Sequence, residues 1–441
     1  TMPKPIVCLS DTLRQFLEVF RPCFSRRQWP YFVTVLLALV ECQGRSTLTG
    51  FLRCVAEATS LCGLSRFLSR WSWSADELAG TWLRRFRREM APAVQAEHSR
   101  QRALRPRRQG RPKATLVTGY LILDDSVHSK PKGRKMGGLG WHYSAAEKKV
   151  VRGHCLFSGL YVLLGRRCPL RPRLYRQKAV CEREGVPFQS KVDMAVEEIE
   201  QFQPVPDTQT HLLIDRWYHC RRVRKAAQKR GWEVSGGLKS NRQMRLMAGG
   251  NRQWLSLADY AATLEPGDYQ EATWPSQQGG HTVYVHVVQT WVRKLGPTLL
   301  LITRLSLDEP LDQARYWGST QMAADAQTAI NILAVRWEVE VLFENYKDLL
   351  GTDHYQVMKA TAIVRFWTLV SCLAYFLDEQ RALLQAQQPG VHVTLGDARR
   401  SLQAEHQHNL LVWLQDQFRS GATVEQLSAR LNVRFMPEVQ R

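Results

Sequence analysis

Acidic residues are scarce in this 441-residue chain. Forty Asp and Glu stand against sixty-one Lys and Arg, for a formal charge of +21. That imbalance argues against a basic partner and points to a polyanion, most often nucleic acid. Long hydrophobic runs are missing too. The run Phe32–Val40 falls far short of the about 20 residues a membrane helix needs, so no membrane segment is expected. No apolar signal segment follows the N-terminal charges, which speaks against secretion. Ten cysteines lie scattered without a C-x-x-C pair, as reduced thiols in a cytoplasm would, rather than disulfides or a structural zinc site. What the chain does have is core material. Hydrophobic residues make up 44%, with 14 Trp, 13 Tyr and 15 Phe, which excludes disorder. At about 150 residues per domain the length suggests roughly three.

Residues 1–95 read as helical. Ser10 caps a helix on which Leu13, Phe16, Leu17 and Phe20 recur at helical spacing, and Ser74-Ala-Asp-Glu77 is a capping-box pattern ahead of Leu78, Trp82 and Phe86. Short helices carrying Arg66 and Arg70 suit either a DNA-binding head or a plain bundle with a basic face. A basic linker follows over 96–114. Its stretch Ser99–Lys113 holds seven Lys or Arg and no acid, so Arg105, Arg107 and Arg108 would track a phosphate backbone.

From about 115 short β-rich runs take over. Leu116–Leu123 ends on Asp124-Asp125, and Lys149–Phe157 and Tyr161–Leu164 complete an expected meander. A helix from Ser190 to Phe202, a strand His211–Ile214 ending on Asp215, a basic helix from about His219 to Arg230 stopped by Gly231, and a strand Trp232–Ser235 come next. The order β-β-β-α-β-α-β is that of the RNase H-like fold, a mixed sheet with helices on both faces. The β-rich segment 246–318, including His281–Trp291 and Thr298–Arg304, interrupts it. A long helix from about Ala324 to Leu350 and another through Phe376 follow. The expected class is thus α/β: an RNase H-like mixed sheet over 115–245 and 319–376, a β-rich insertion, and helical N- and C-terminal regions. The tail 377–441 ends in two amphipathic helices, either a helix-turn-helix or an ordinary helical pair.

An Asp at a strand end usually caps a turn. Two such acids on neighbouring strands, with a Glu on a helix above them, make a different pattern. Clusters of this kind hold two divalent cations that stabilise the attacking and leaving oxygens at phosphorus, and carboxylates suit hard ions such as Mg²⁺. Ile332, Val335, Val339, Leu342, Tyr346 and Leu349 form one stripe of the long helix, and Arg336, Glu340, Phe343 and Lys347 the adjacent one. Glu340 is therefore the third acid, with a cation on either side.

Arg336-Trp337-x-Val339-Glu340-x-x-Phe343-x-x-x-Lys347-x-x-Leu350-Gly351 resembles the third-acid helix of bacterial insertion-sequence DDE transposases. The group it resembles has the signature Tyr, two residues, Arg, three residues, Glu, six residues, Lys. Leu333 stands where that Tyr would be. Ile122-Leu-Asp-Asp-Ser126 resembles the first-acid strand, Leu213-Ile-Asp215-x-Trp217-Tyr218 the second, and Gly237-Leu-Lys-Ser-Asn-Arg242 the strand exit that follows. The likeness spans about 115–375, and the group carries a β-rich insertion between its second and third acids.

The resemblance implies a transposase. It would bind the terminal inverted repeats of its element, cleave the ends by metal-dependent hydrolysis and join the 3′-hydroxyls to target DNA. Asp124, Asp215 and Glu340 would hold two Mg²⁺ ions, with Mn²⁺ able to substitute. Asp125 is the alternative first acid; otherwise it would cap a turn or meet a nearby cation such as Lys130. Double-stranded DNA would meet Arg336, Lys347, Lys239, Asn241, Arg242, Lys130 and the basic helix through Arg221, Arg222, Arg224 and Lys225. Trp217 would stack on an unpaired base or pack in the core. A homodimer is expected, because two ends must be cut together, in a bacterial cytoplasm at the nucleoid. A nuclease or junction resolvase without strand joining, or a non-catalytic DNA-binding descendant, are the alternatives.

Overall fold

The computed structural model describes residues 10–42, 44–55, 59–104, 116–248, 251–276 and 279–431. The N-terminal helices are α1 (Asp11–Glu18), α2 (Trp29–Glu41), α3 (Leu48–Cys54), α4 (Leu61–Ser69) and α5 (Ala75–Ala103). Ser10, Thr47, Ser60 and Ser74 each accept a backbone N–H from the first turn they precede, the expected N-cap chemistry. Helix α5 runs on into the basic stretch, so Ser99–Ala103 is helical rather than linker. Arg105, Arg107 and Arg108 lie outside the described residues.

Strand β1 (Val117–Ser129) is followed by β2 (Gly140–Ser144), β3 (Lys149–Leu163), β4 (Arg166–Pro169) and β5 (Arg173–Tyr175). Then come α6 (Lys178–Glu184), α7 (Lys191–Gln201), β6 (Thr208–Ile214), α8 (Arg221–Lys229) and β7 (Glu233–Leu238). The capping box of Ser190 and Asp193 opens α7, and Gly231, at φ 69°, closes off α8. Two expectations are corrected. The runs at 149–157 and 161–164 are one strand, β3. Strand β1 does not stop at the aspartates, because β3 continues to pair with it from Asp124↔Ser158 to Ser129↔Gly153. Its polar end is buried on one side, where His128 meets the Trp367 ring edge-on at 5.4 Å.

The insertion contributes β8 (Gln243–Ala248), β9 (Asn251–Ser256), α9 (Leu257–Ala261), β10 (Gln270–Trp274), β11 (His281–Val292), β12 (Gly296–Arg304) and β13 (Arg315–Ser319). It does not form a separate sheet. Antiparallel pairing of β13 with β7 joins it to the preceding strands in one thirteen-stranded sheet, ten of them along the path β2-β3-β1-β6-β7-β13-β12-β11-β8-β9, with β10 beside β11 and with β4 and β5 beside β3. Among the described strands only β1–β6 and β6–β7 pair in parallel.

Helices α10 (Ala326–Val335) and α11 (Trp337–Glu344) replace the single helix expected over 324–350, and a π-helical turn, Asn345–Leu349, follows. The break falls at Arg336, where N–H of Arg336 bonds to Leu333 and N–H of Val339 to Arg336, three residues back in each case. Such tightening interrupts an α-helix without any Pro or Gly. The last helices are α12 (Ala360–Gln387), α13 (Leu395–Arg419) and α14 (Val424–Arg430).

Helix α12 is long and apolar enough to cross a membrane, yet 83% of that apolar window is buried inside the protein. It is the central core helix. One core runs from Leu13 to Leu402 and joins the N-terminal helices, the strands around β1, β3 and β6, and α12. Phe16 packs on Phe376 at 4.5 Å between ring centroids, and Trp82 donates its indole N–H to the Pro169 carbonyl at 2.8 Å. The N-terminal helices thus share the core of the β1–β3–β6 strands, while Arg66 and Arg70 remain exposed. In the insertion, Leu300 and Ile302 of β12 pack towards α9, and Leu299 and Leu301 towards α10.

Candidate active site

The central parallel strands bring the first two acids alongside each other. Leu123 of β1 lies opposite Ile214 of β6 in the last pair of that ladder, so the next residues, Asp124 and Asp215, are neighbours just past it. The turn after β6 is held by the Tyr218 N–H on the Asp215 carbonyl at 3.0 Å. Because β1 continues through Asp124 and Asp125, their side chains point to opposite faces.

Asp125 is fully engaged on its own face. It accepts from the Tyr218 hydroxyl, from Lys191 Nζ at 2.6 Å and from the Cys155 thiol at 3.3 Å. Asp125 does meet a cation, as expected, but that cation is Lys191 rather than Lys130, and it caps no turn. Strand β1 has no turn there, and Lys130 Nζ instead donates to the carbonyls of Asp353 and Tyr355 while lying over the Tyr355 ring. Burial drives the Lys130 ammonium down to about 8. Lys191, at the start of α7, went unforeseen as a partner, since nothing local in the sequence links it to a residue 66 positions away.

Asp124 faces the other way. Burial, helped by the neighbouring Asp125 and Asp215 carboxylates, raises it to about 8. Arg336 lies 3.8 Å from its carboxylate and also pairs with Glu340. One guanidinium, at the junction of α10 and α11, therefore bridges the first-acid strand and the third-acid helix. Among the described residues no group of three or more His, Cys, Asp or Glu stands close enough together to hold an ion; Arg336 lies between two of the carboxylates. The donor set nevertheless suits a hard cation. Oxygen ligands are what Mg²⁺ requires, and the like-charge repulsion that adds to burial in raising Asp124 is what a divalent cation would relieve.

The remaining residues divide by exposure. Leu333, in place of the signature Tyr, is 2% exposed in the core between α10 and the insertion. Lys347 is half-buried in the π-helical turn, and burial lowers its ammonium. Trp217 does not pack in the core; it is 60% exposed, with Lys239 Nζ 5.4 Å from its ring centroid. Asn241 is exposed, while Arg242 donates to the His219 carbonyl at 2.6 Å. On α8, Arg221, Arg222 and Lys225 face outward, although Arg222 also pairs with Asp193. Arg224 is corrected: it is buried, donating to the Leu295 carbonyl at 3.0 Å and to Thr298 Oγ1 at 2.9 Å. Its guanidinium ties β12 and the turn before it to α8 and is withdrawn from any phosphate.

The chain matches the family model of the DDE superfamily endonucleases over residues 19–251 and that of the transposase DDE domain over 175–377. It belongs to the DDE superfamily of endonucleases and transposases. The first match contains Asp124 and Asp215, and the second Asp215 and Glu340. No curated protein matches the chain. As a DDE endonuclease it is a nuclease-type enzyme, and nucleases of this superfamily generally use divalent metals.

Proposed function

We propose that this DDE endonuclease is the transposase of an insertion sequence, which binds the terminal inverted repeats, hydrolyses the ends and joins the freed 3′-hydroxyls to target DNA. The observation that carries this reading is the bridging of Asp124 and Glu340 by Arg336, with Asp215 beside Asp124 at the end of the parallel strands. Asp124, Asp215 and Glu340 would hold two Mg²⁺ ions, which supply activation of the attacking oxygen and neutralisation of charge at the scissile phosphate.

The chain's own groups do the rest. Arg336 presents a planar fork to phosphate oxygens once the carboxylates no longer need its charge. Lys347 adds a half-desolvated point charge in the π-helical turn that follows α11. Trp217, exposed beside Lys239, offers a ring face to a base that has left the duplex. Arg221 and Lys225 steer the backbone towards the acids without reading sequence. Paired cutting of two ends calls for a homodimer on DNA.

A plasmid carrying the DNA that flanks this reading frame tests the proposal. Nicks at the borders of short inverted repeats are expected with Mg²⁺ or Mn²⁺ and none with a chelator. Nicks scattered at random, or none with either ion, would overturn it.

A further inference from the structure

On the outer half of the insertion, strand register sets three side chains in a row. Arg245 of β8 lies opposite Trp254 of β9 and also opposite Trp291 of β11. Directly opposed residues on antiparallel strands project to the same face. The Arg245 guanidinium stands 5.3 Å from the Trp291 ring centroid, within cation–π range. Both indoles stay open to solvent, Trp254 at 44% and Trp291 at 42%.

This is the same sheet face that α10 covers farther in. Val283 and Val285, in step with Trp291 along β11, pack there with Ala329 and Ile330. The cover ends before the tryptophans are reached. Its charge is one-sided as well. No Asp or Glu occurs from Lys239 to Ala258 or from His281 to Leu307. Arg293 lies beside the row, its side chain donating to Gln243 Oε1 at 2.6 Å.

We propose that Trp254, Arg245 and Trp291 form a stacking platform for an unpaired nucleic-acid strand, separate from the acids and independent of metal. The bases of a duplex already cover each other's faces, so only unpaired bases offer a face to an indole. The two tryptophans sit two strands apart, about 10 Å by strand spacing. A duplex advances about 3.4 Å per base pair. The platform therefore fits bases held apart on an extended strand, with Arg245 between them for the intervening phosphate.

Fluorescence anisotropy of the full chain in chelator tests this, using an oligothymidine of about 20 nucleotides beside a duplex of equal length. Trp254→Ala and Trp291→Ala should each weaken oligothymidine binding about 10-fold, within the range measured for base–aromatic stacking. Duplex binding should change less than about twofold on the same basis, and Trp291→Phe, which keeps a ring, should keep most of the affinity. Three outcomes would overturn the proposal. They are wild-type oligothymidine binding by the double Ala variant, equal loss for both ligands, and a change of oligomeric state in sedimentation with oligothymidine binding intact. No strand is cut in this assay, so its result stands apart from the transposase reading.

Discussion

Asp124 and Asp125 are consecutive residues of one unbroken strand, and their carboxylates serve opposite faces of the sheet. Asp125 is closed in by Lys191, Tyr218 and Cys155. Asp124 looks towards Asp215 and Arg336. The pleat thus separates an acid tied up in its own contacts from the acid proposed to hold metal.

Substitution should separate these roles. Asp124→Asn is expected to abolish nicking and joining at any Mg²⁺ concentration, with little change in melting temperature. Asp125→Asn leaves Lys191 without its counter-charge and should cost about 3 kcal/mol of stability, while measurable cleavage remains below the new melting temperature. Thermal melts and a labelled end substrate read both. An inactive Asp125→Asn beside an active Asp124→Asn would reverse the assignment.

The third-acid helix offers internal controls. Glu340→Gln keeps shape and helix propensity but removes a ligand charge, so cleavage should fall at least 100-fold, about 2.7 kcal/mol in the barrier, with DNA binding retained. Glu338 takes the bidentate grip of Arg167, at 2.6 and 2.9 Å. Glu338→Gln should lower stability and leave cleavage close to wild type. Gel-shift and nicking assays on the same preparations distinguish the two.

Much of the site was legible because it depends on local pattern. The serine caps of α1, α5 and α7, the stop at Gly231 and the strand before Asp215 are all written in adjacent residues. What escaped depends on distant partners. Strand β1 outruns its apolar stretch because β3 keeps pairing with it, and the insertion extends the catalytic sheet through β7–β13, a pairing between segments about 80 residues apart. Arg224 reads as one more cation on a basic helix until β12 closes over it. The break at Arg336 carries no Pro or Gly signal, yet it sets the guanidinium between two acids.

Buried histidines should make stability fall in mild acid. Burial lowers His142, His154 and His211 to about 4 each. The folded chain keeps them neutral, whereas the unfolded chain protonates them below about 6.5. Their contribution is therefore fully present above pH 6.5 and is lost as pH falls towards about 4. Each is worth on the order of 1–3 kcal/mol at the acid end. Urea melts between pH 7 and pH 4.5 should show the decline, and His154→Gln should flatten it. A constant midpoint across that window would contradict the assignment.

A pre-cleaved end bearing a free 3′-hydroxyl, mixed with a supercoiled target plasmid and Mg²⁺, poses the question of function most sharply. The wild-type chain should yield a product in which the end is covalently joined to the plasmid, and Glu340→Gln and Asp215→Asn should yield none. Hydrolysis without any joined product would identify a nuclease rather than a transposase. Joining that survives Glu340→Gln would contradict the placement of the third acid.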